Sequence, residues 1–110
     1  TGSVLTQTTP RSWKNALDAT TAARVTDMMV TVVESGSGRR AAISGVKVAG
    51  KTGTAEVGKS VATHAWFIAF APADNPRVAV AIVLENAGVG GTVAAPAARG
   101  VLETALGVTQ

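Results

Sequence analysis

Apolar residues change their spacing twice along this chain, and each change marks a boundary between elements. From Thr20 they recur at three and four: Ala22, Val25, Met28, Met29, Val32 and Val33 share one face, which predicts a helix over 20–35. Thr20 or Thr21 can cap its start, and Gly36 suits its end. Residues 1–19 hold a short β-like run, Val4-Leu5-Thr6-Gln7, then Pro10 and a polar stretch, and are expected to form an irregular lead-in. Ser35–Arg40 reads as a Gly/Ser loop. Beyond it the period falls to two, with Val46 and Val48 alternating with Lys47 and Ala49, which predicts a strand over about 43–57. HAWFIAFA at 64–71 is a second strand, closed by Pro72 and the turn Ala73-Asp74-Asn75-Pro76. Val78–Leu84 is a third, apolar throughout, so cover is expected on both its faces. After Gly88-Val89-Gly90-Gly91 helical spacing returns with Val93, Ala97, Val101 and Ala105. Pro96 belongs near a first turn, which places this helix at 93–106. The order predicts an α+β fold, an antiparallel three-stranded sheet over 43–86 flanked by helices.

Composition narrows the function classes. With 110 residues the chain is one domain or part of one, and 46% hydrophobic against 15% charged residues excludes disorder. The charge of +3 is scattered, Arg39-Arg40 being the only adjacent basic pair, and only two Trp and two Phe are present. A nucleic-acid groove needs a basic stripe interleaved with stacking rings, so no nucleic-acid partner is expected. The absence of cysteine removes thiol catalysis, disulfides and cysteine–zinc sites, and neither a cofactor nor a metal is expected. The longest apolar runs fall well short of the ~20 residues of a membrane span. No signal-peptide pattern stands at the N-terminus, so any membrane anchor is expected in a segment outside this chain.

The chemistry concentrates in SGVKVAGKTGT at 44–54, where three signatures overlap. Gly45 to Thr52 satisfies G-x-x-x-x-G-K-[ST], Ser44 to Lys47 satisfies S-x-x-K, and Lys51-Thr52-Gly53 satisfies K-T-G. A phosphate-binding loop needs a helix starting at its Lys-Thr, but Gly53 and Gly58 interrupt that stretch. S-x-x-K needs a helix that sets the lysine one turn from the serine. On a strand Ser44 and Lys47 lie ~10 Å apart and face opposite ways. K-T-G alone wants the extended geometry that the alternation predicts. Lys51 and Gly53 then share one face, Thr52 and Thr54 the other, with Gly53 letting a ligand lie close to the backbone. A lysine and oriented hydroxyls suit a carboxylate ligand.

VAGKTGTAE, then HAWFIAFAP, a strand ending Glu85-Asn86, a glycine turn and AAP resemble the end of a penicillin-binding protein transpeptidase domain. The pattern is similar to the class B, monofunctional enzymes of the penicillin-binding protein A group, and MMVTVVESGSGRRAAI resembles their preceding helix and loop. The resemblance spans about 20–106. It implies a serine D,D-transpeptidase that cross-links peptidoglycan stem peptides through an acyl-serine intermediate and is acylated by β-lactams. Such an enzyme serves cell wall biogenesis, in cell shape or division, at the extracytoplasmic face of the bacterial membrane. By the same resemblance Lys51 supports the proton network beside an S-x-N motif, and Thr52 and Thr54 hold the substrate carboxylate. The Thr54 N–H completes an oxyanion hole, and Gly53 permits close approach. The nucleophile's S-x-x-K and the S-x-N are both missing, so the chain looks like the C-terminal part of one such domain, inactive alone and partnered by the upstream part. The alternatives are a D,D-carboxypeptidase or β-lactamase relative, and an inactive penicillin-recognising sensor or assembly domain.

The remaining polar and aromatic residues have plainer readings. His64 is expected to be a structural or hydrogen-bonding histidine, and Trp66, Phe67 and Phe70 are expected in the core. Glu56 reads as a solvated strand-end charge, Arg39 and Arg40 as a solvated loop, and Gly88–Gly91 as a turn. The sharper options are contact of Glu56 with substrate, of the arginines with an anionic cell-wall polymer, and of the glycine loop with an anion.

Overall fold

The structure, a computed structural model, describes residues 2–108. Helix α1 (Ala19–Glu34) leads through a short 3-10 turn (Arg39–Ala41) to strands β1 (Ala49–Ala55), β2 (His64–Ala71) and β3 (Val78–Leu84), and helix α2 (Gly90–Leu106) follows. The strands form one antiparallel sheet in the order β1-β2-β3. The register sets Thr52 opposite Phe67, Gly53 opposite Trp66 and Trp66 opposite Val83. The fold is α+β, as the spacing predicts.

Period two divides the sheet into unlike faces. On one face Ala65, Phe67, Ala69 and Ala71 are buried against Ala94, Ala95, Ala98 and Leu102 of α2. Alanines on both sides let helix and sheet approach closely, and Phe67 and Leu102 fill the space between, each burial worth about 1.5–3 kcal/mol. The approach is tightest at the first turn of α2. A Cβ on Gly90 would lie 2.2 Å from the Trp66 carbonyl oxygen and 2.6 Å from that of Gly53. On the other face α1 covers only one end, where Val30 packs with Ala49, Phe70 and Ala73.

That partial cover corrects two expectations. Trp66 is 39% exposed, not core, and Ile68, Ala79, Ala81 and Val83 on its face are exposed too, because no described helix lies over them. β3 is therefore covered on one side only. Along α1, Val30 and Val33 are buried and Met29 half-buried, whereas Ala22, Val25 and Met28 of the expected stripe are exposed.

The element boundaries also move, each for a local reason. No strand or helix forms between residues 2 and 18. α1 starts at Ala19 because Asp18, and not Thr20 or Thr21, is the cap. Its carboxylate accepts the Thr21 N–H at 2.8 Å and the Thr21 hydroxyl at 2.7 Å. The Thr21 backbone N–H, followed by its hydroxyl, holds the Asp18 carboxyl below its ordinary pKa. β1 starts at Ala49, not 43. Gly45 adopts φ +74°, and the chain turns back so that Ile43 bridges Val46. α2 starts at Gly90, not 93, which makes Gly90 and Gly91 its first turn and places Pro96 inside the helix. Proline offers no N–H to the carbonyl four residues earlier, that of Thr92. Arg40 Nη1 donates to this carbonyl instead, at 3.1 Å. Gly107 ends α2 in the left-handed conformation, its N–H bonded to the Thr104 carbonyl and that of Val108 to Glu103.

Candidate active-site wall

The alternation along β1 sends the motif residues to both sides of the sheet. Thr52 and Thr54 open into a cleft of ≈ 320 Å³ together with Ser37, Arg39, Arg40 and Thr92. Lys51 faces the opposite side, beside Ile68 and the α1 residues Val25, Met28, Met29 and Val32, and its Nζ donates to the Thr52 carbonyl at 2.8 Å. The structure thus groups the two threonines and leaves the lysine across the strand from them. Gly53 sits between, where a Cβ would come within 3.1 Å of the Trp66 Cβ.

Three elements converge on the cleft. The loop after α1 is pinned by the Gly36 and Gly38 N–H groups, both bonded to the Val32 carbonyl, at 3.1 and 3.0 Å. This places the Ser37 hydroxyl 2.9 Å from that of Thr52. The start of α2 closes the far side, near enough that a Cβ on Gly91 would lie 2.3 Å from the Ser37 carbonyl oxygen. No acidic side chain lines the cleft, and the one ion pair among the described residues joins Arg99 to Glu103 elsewhere. The two guanidinium groups, the hydroxyls and a helix N-terminus therefore give the cleft a positive, donor-rich lining suited to a carboxylate. No group of His, Asp and Glu able to hold a metal occurs among the described residues.

The other candidate residues divide. His64 is structural: its Nδ1 accepts the Asn86 N–H at 3.0 Å. Thr63 binds Gly88 through both its hydroxyl, at 2.7 Å, and its carbonyl, at 3.0 Å. These bonds tie the approach to α2 onto the start of β2. Glu56 lies beyond β1 and is exposed, away from the cleft lining. Arg39 and Arg40 are exposed, in keeping with the solvated reading, and they also line the cleft. Sequence reasoning missed Ser37. The flanking Gly36 and Gly38, which allow so tight a turn, were the available signal.

An edge strand carrying hydroxyls into a cleft lined by two arginines, with a lysine on its other face, has the donors and charge that suit a carboxylate. The sequence matches the penicillin binding protein transpeptidase domain family over residues 2–103, and the chain belongs to that family. It is 43% identical to the peptidoglycan D,D-transpeptidase PbpA of Mycolicibacterium smegmatis, over 93% of this chain and 22% of that protein. With PbpA of Mycobacterium tuberculosis it shares 45% identity, over 84% of this chain and 20% of the relative. Among solved structures, the D,D-transpeptidase domain of a peptidoglycan glycosyltransferase from Eggerthella lenta superposes with a TM-score of 0.83 at 46% identity, covering 94% of this chain and 24% of that one. Penicillin-binding protein A of M. tuberculosis, as its ceftriaxone acyl-enzyme, superposes with a TM-score of 0.82 at 42% identity, covering 92% of this chain and 24% of that one. The chain spans about a fifth of the length of the curated relatives it matches.

Proposed function

We propose that this chain forms one wall of the cleft of a serine D,D-transpeptidase acting on peptidoglycan stem peptides and acylated by β-lactams. The observation that carries the reading is the grouping of Thr52 and Thr54 with Arg39 and Arg40 in a cleft without acids. The two hydroxyls hold the terminal carboxylate of a stem peptide, or the equivalent carboxylate of a β-lactam, while the guanidinium groups supply positive potential. β1 is an edge strand among the described residues, so alternate N–H groups along it face outward. The Thr54 N–H serves as an oxyanion donor on that edge, and Gly53 keeps the backbone open to the ligand. Lys51 contributes positive charge and proton transfer from the other side of the strand.

The acylating serine and the S-x-N motif come from the upstream part of the same domain, so the isolated chain does not acylate. The resemblance to the penicillin-binding protein A group further supports a membrane-anchored, extracytoplasmic enzyme of cell shape or division, its anchor lying outside this chain. A fluorescent penicillin tests the core of this. The complete transpeptidase should be labelled covalently and the 110-residue chain alone should not. Thr52→Ala in the complete protein should slow labelling about tenfold, the loss of one hydrogen bond to a charged group. Labelling of the isolated chain, or an unchanged rate for Thr52→Ala, refutes the assignment.

A further inference from the structure

We infer that Ser37 is a positioning residue that makes Thr52 a donor aimed into the cleft, so selecting ligands that carry an anion there. The inference rests on the carboxylate-binding reading above. Ser37 and Thr52 are fifteen residues apart in sequence, yet their hydroxyls meet at 2.9 Å. The position of Ser37 is fixed on two sides, by the neighbouring Gly36 and Gly38 N–H groups bonded to α1 and by the first turn of α2 against its carbonyl.

A threonine hydroxyl has one proton and can spend it in only one direction. If Thr52 donates to Ser37, its lone pairs face the cleft and repel a carboxylate. If Ser37 donates to Thr52, the Thr52 proton is free to reach the ligand. The guanidinium groups of Arg39 and Arg40 on the same cleft draw an anion there, and the anion favours the second arrangement. Ser37 O–H then donates to Thr52, and Thr52 O–H donates to the carboxylate, each bond polarising the next. A ligand with a neutral acceptor at that point gains little from the relay.

The test uses the complete transpeptidase and two probes, a penicillin with its free carboxylate and the same penicillin as a methyl ester. Ser37→Ala should slow acylation by the acid about three- to tenfold and leave the ester within about twofold. Ser37→Thr, which keeps a hydroxyl at the same place, should restore the acid rate. A Ser37→Ala variant that slows both probes equally is behaving structurally and overturns the inference, as does one that slows neither, or a Ser37→Thr variant as slow as alanine. The two readings fail separately. A wild-type enzyme that is not acylated by the acid removes the transpeptidase assignment. A wild type that is acylated, with Thr52→Ala slow and Ser37→Ala at the normal rate, removes only the role of Ser37.

Discussion

Arg40→Ala should loosen the start of α2, and the size of the effect should depend on whether residue 96 is proline. Pro96 leaves the Thr92 carbonyl without its helical donor, and Arg40 supplies the replacement at 3.1 Å. A hydrogen bond from a charged donor nets about 1.5–3 kcal/mol when shielded. Arg40 is exposed, so water competes and about 1 kcal/mol is the reasonable expectation. Pro96→Ala restores an N–H that can reach the same carbonyl and removes the ring that crowds it, so Arg40 becomes partly redundant. The four proteins of the double-mutant cycle can be compared in the complete transpeptidase by amide hydrogen exchange. Local opening of α2 is readable this way even where the whole domain does not unfold in one step. Arg40→Ala should speed exchange in the first turns of α2 about fivefold when Pro96 is present, and less than about twofold in the Pro96→Ala background. The same factor in both backgrounds would falsify the claim that the guanidinium stands in for the missing N–H.

Two further substitutions probe packing and capping. Gly90→Ala sets a methyl group against the backbone carbonyls of Trp66 and Gly53 and should cost about 1–3 kcal/mol. Gly100→Ala, at a helical position with nothing within 4 Å, should instead stabilise by about 0.5–1 kcal/mol, so melting temperatures should move in opposite directions. Asp18→Ala should lower the melting temperature at pH 7, and the deficit should shrink on acidification. The folded carboxyl of Asp18 titrates below its ordinary value, so its capping contribution is complete above pH ~4 and is lost as pH falls through the folded pKa. A deficit as large at pH 2 as at pH 7 would show that the cap does not depend on its charge.

The sequence disclosed the fold wherever a period was long enough to read. The two helices and the apolar strands at 64–71 and 78–84 were predicted with the right element types, whereas Val46 and Val48, whose alternation pointed to the first strand, lie ahead of β1. The boundaries were lost where one residue outweighed the pattern. Gly45 turns the chain ahead of β1, Asp18 caps better than the threonines after it, and Pro96 is tolerated in the helix because a side chain distant in sequence takes over its hydrogen bond. Trp66 was misplaced for a different reason. Its apolar character predicts burial, but burial depends on what lies over that face of the sheet, which a strand pattern does not contain. At the cleft, Thr52 and Thr54 were legible because period two fixes their shared face. Ser37 and Arg40 were not, since their places depend on a turn and on helix packing from separate parts of the chain.

The division of β1 between two faces also limits how this segment can change length in evolution. Losing or gaining one residue between Ala49 and Lys51 would turn the hydroxyls toward the lysine's side and the lysine into the cleft, while β2 still held the backbone in place. Only paired insertions keep the chemistry on its proper sides, and they shift the motif along the strand by about 7 Å. The exposed residues 56–62 between β1 and β2 carry no such parity rule. Length variation among related enzymes should therefore collect in that connection, leaving the strand itself constant in length.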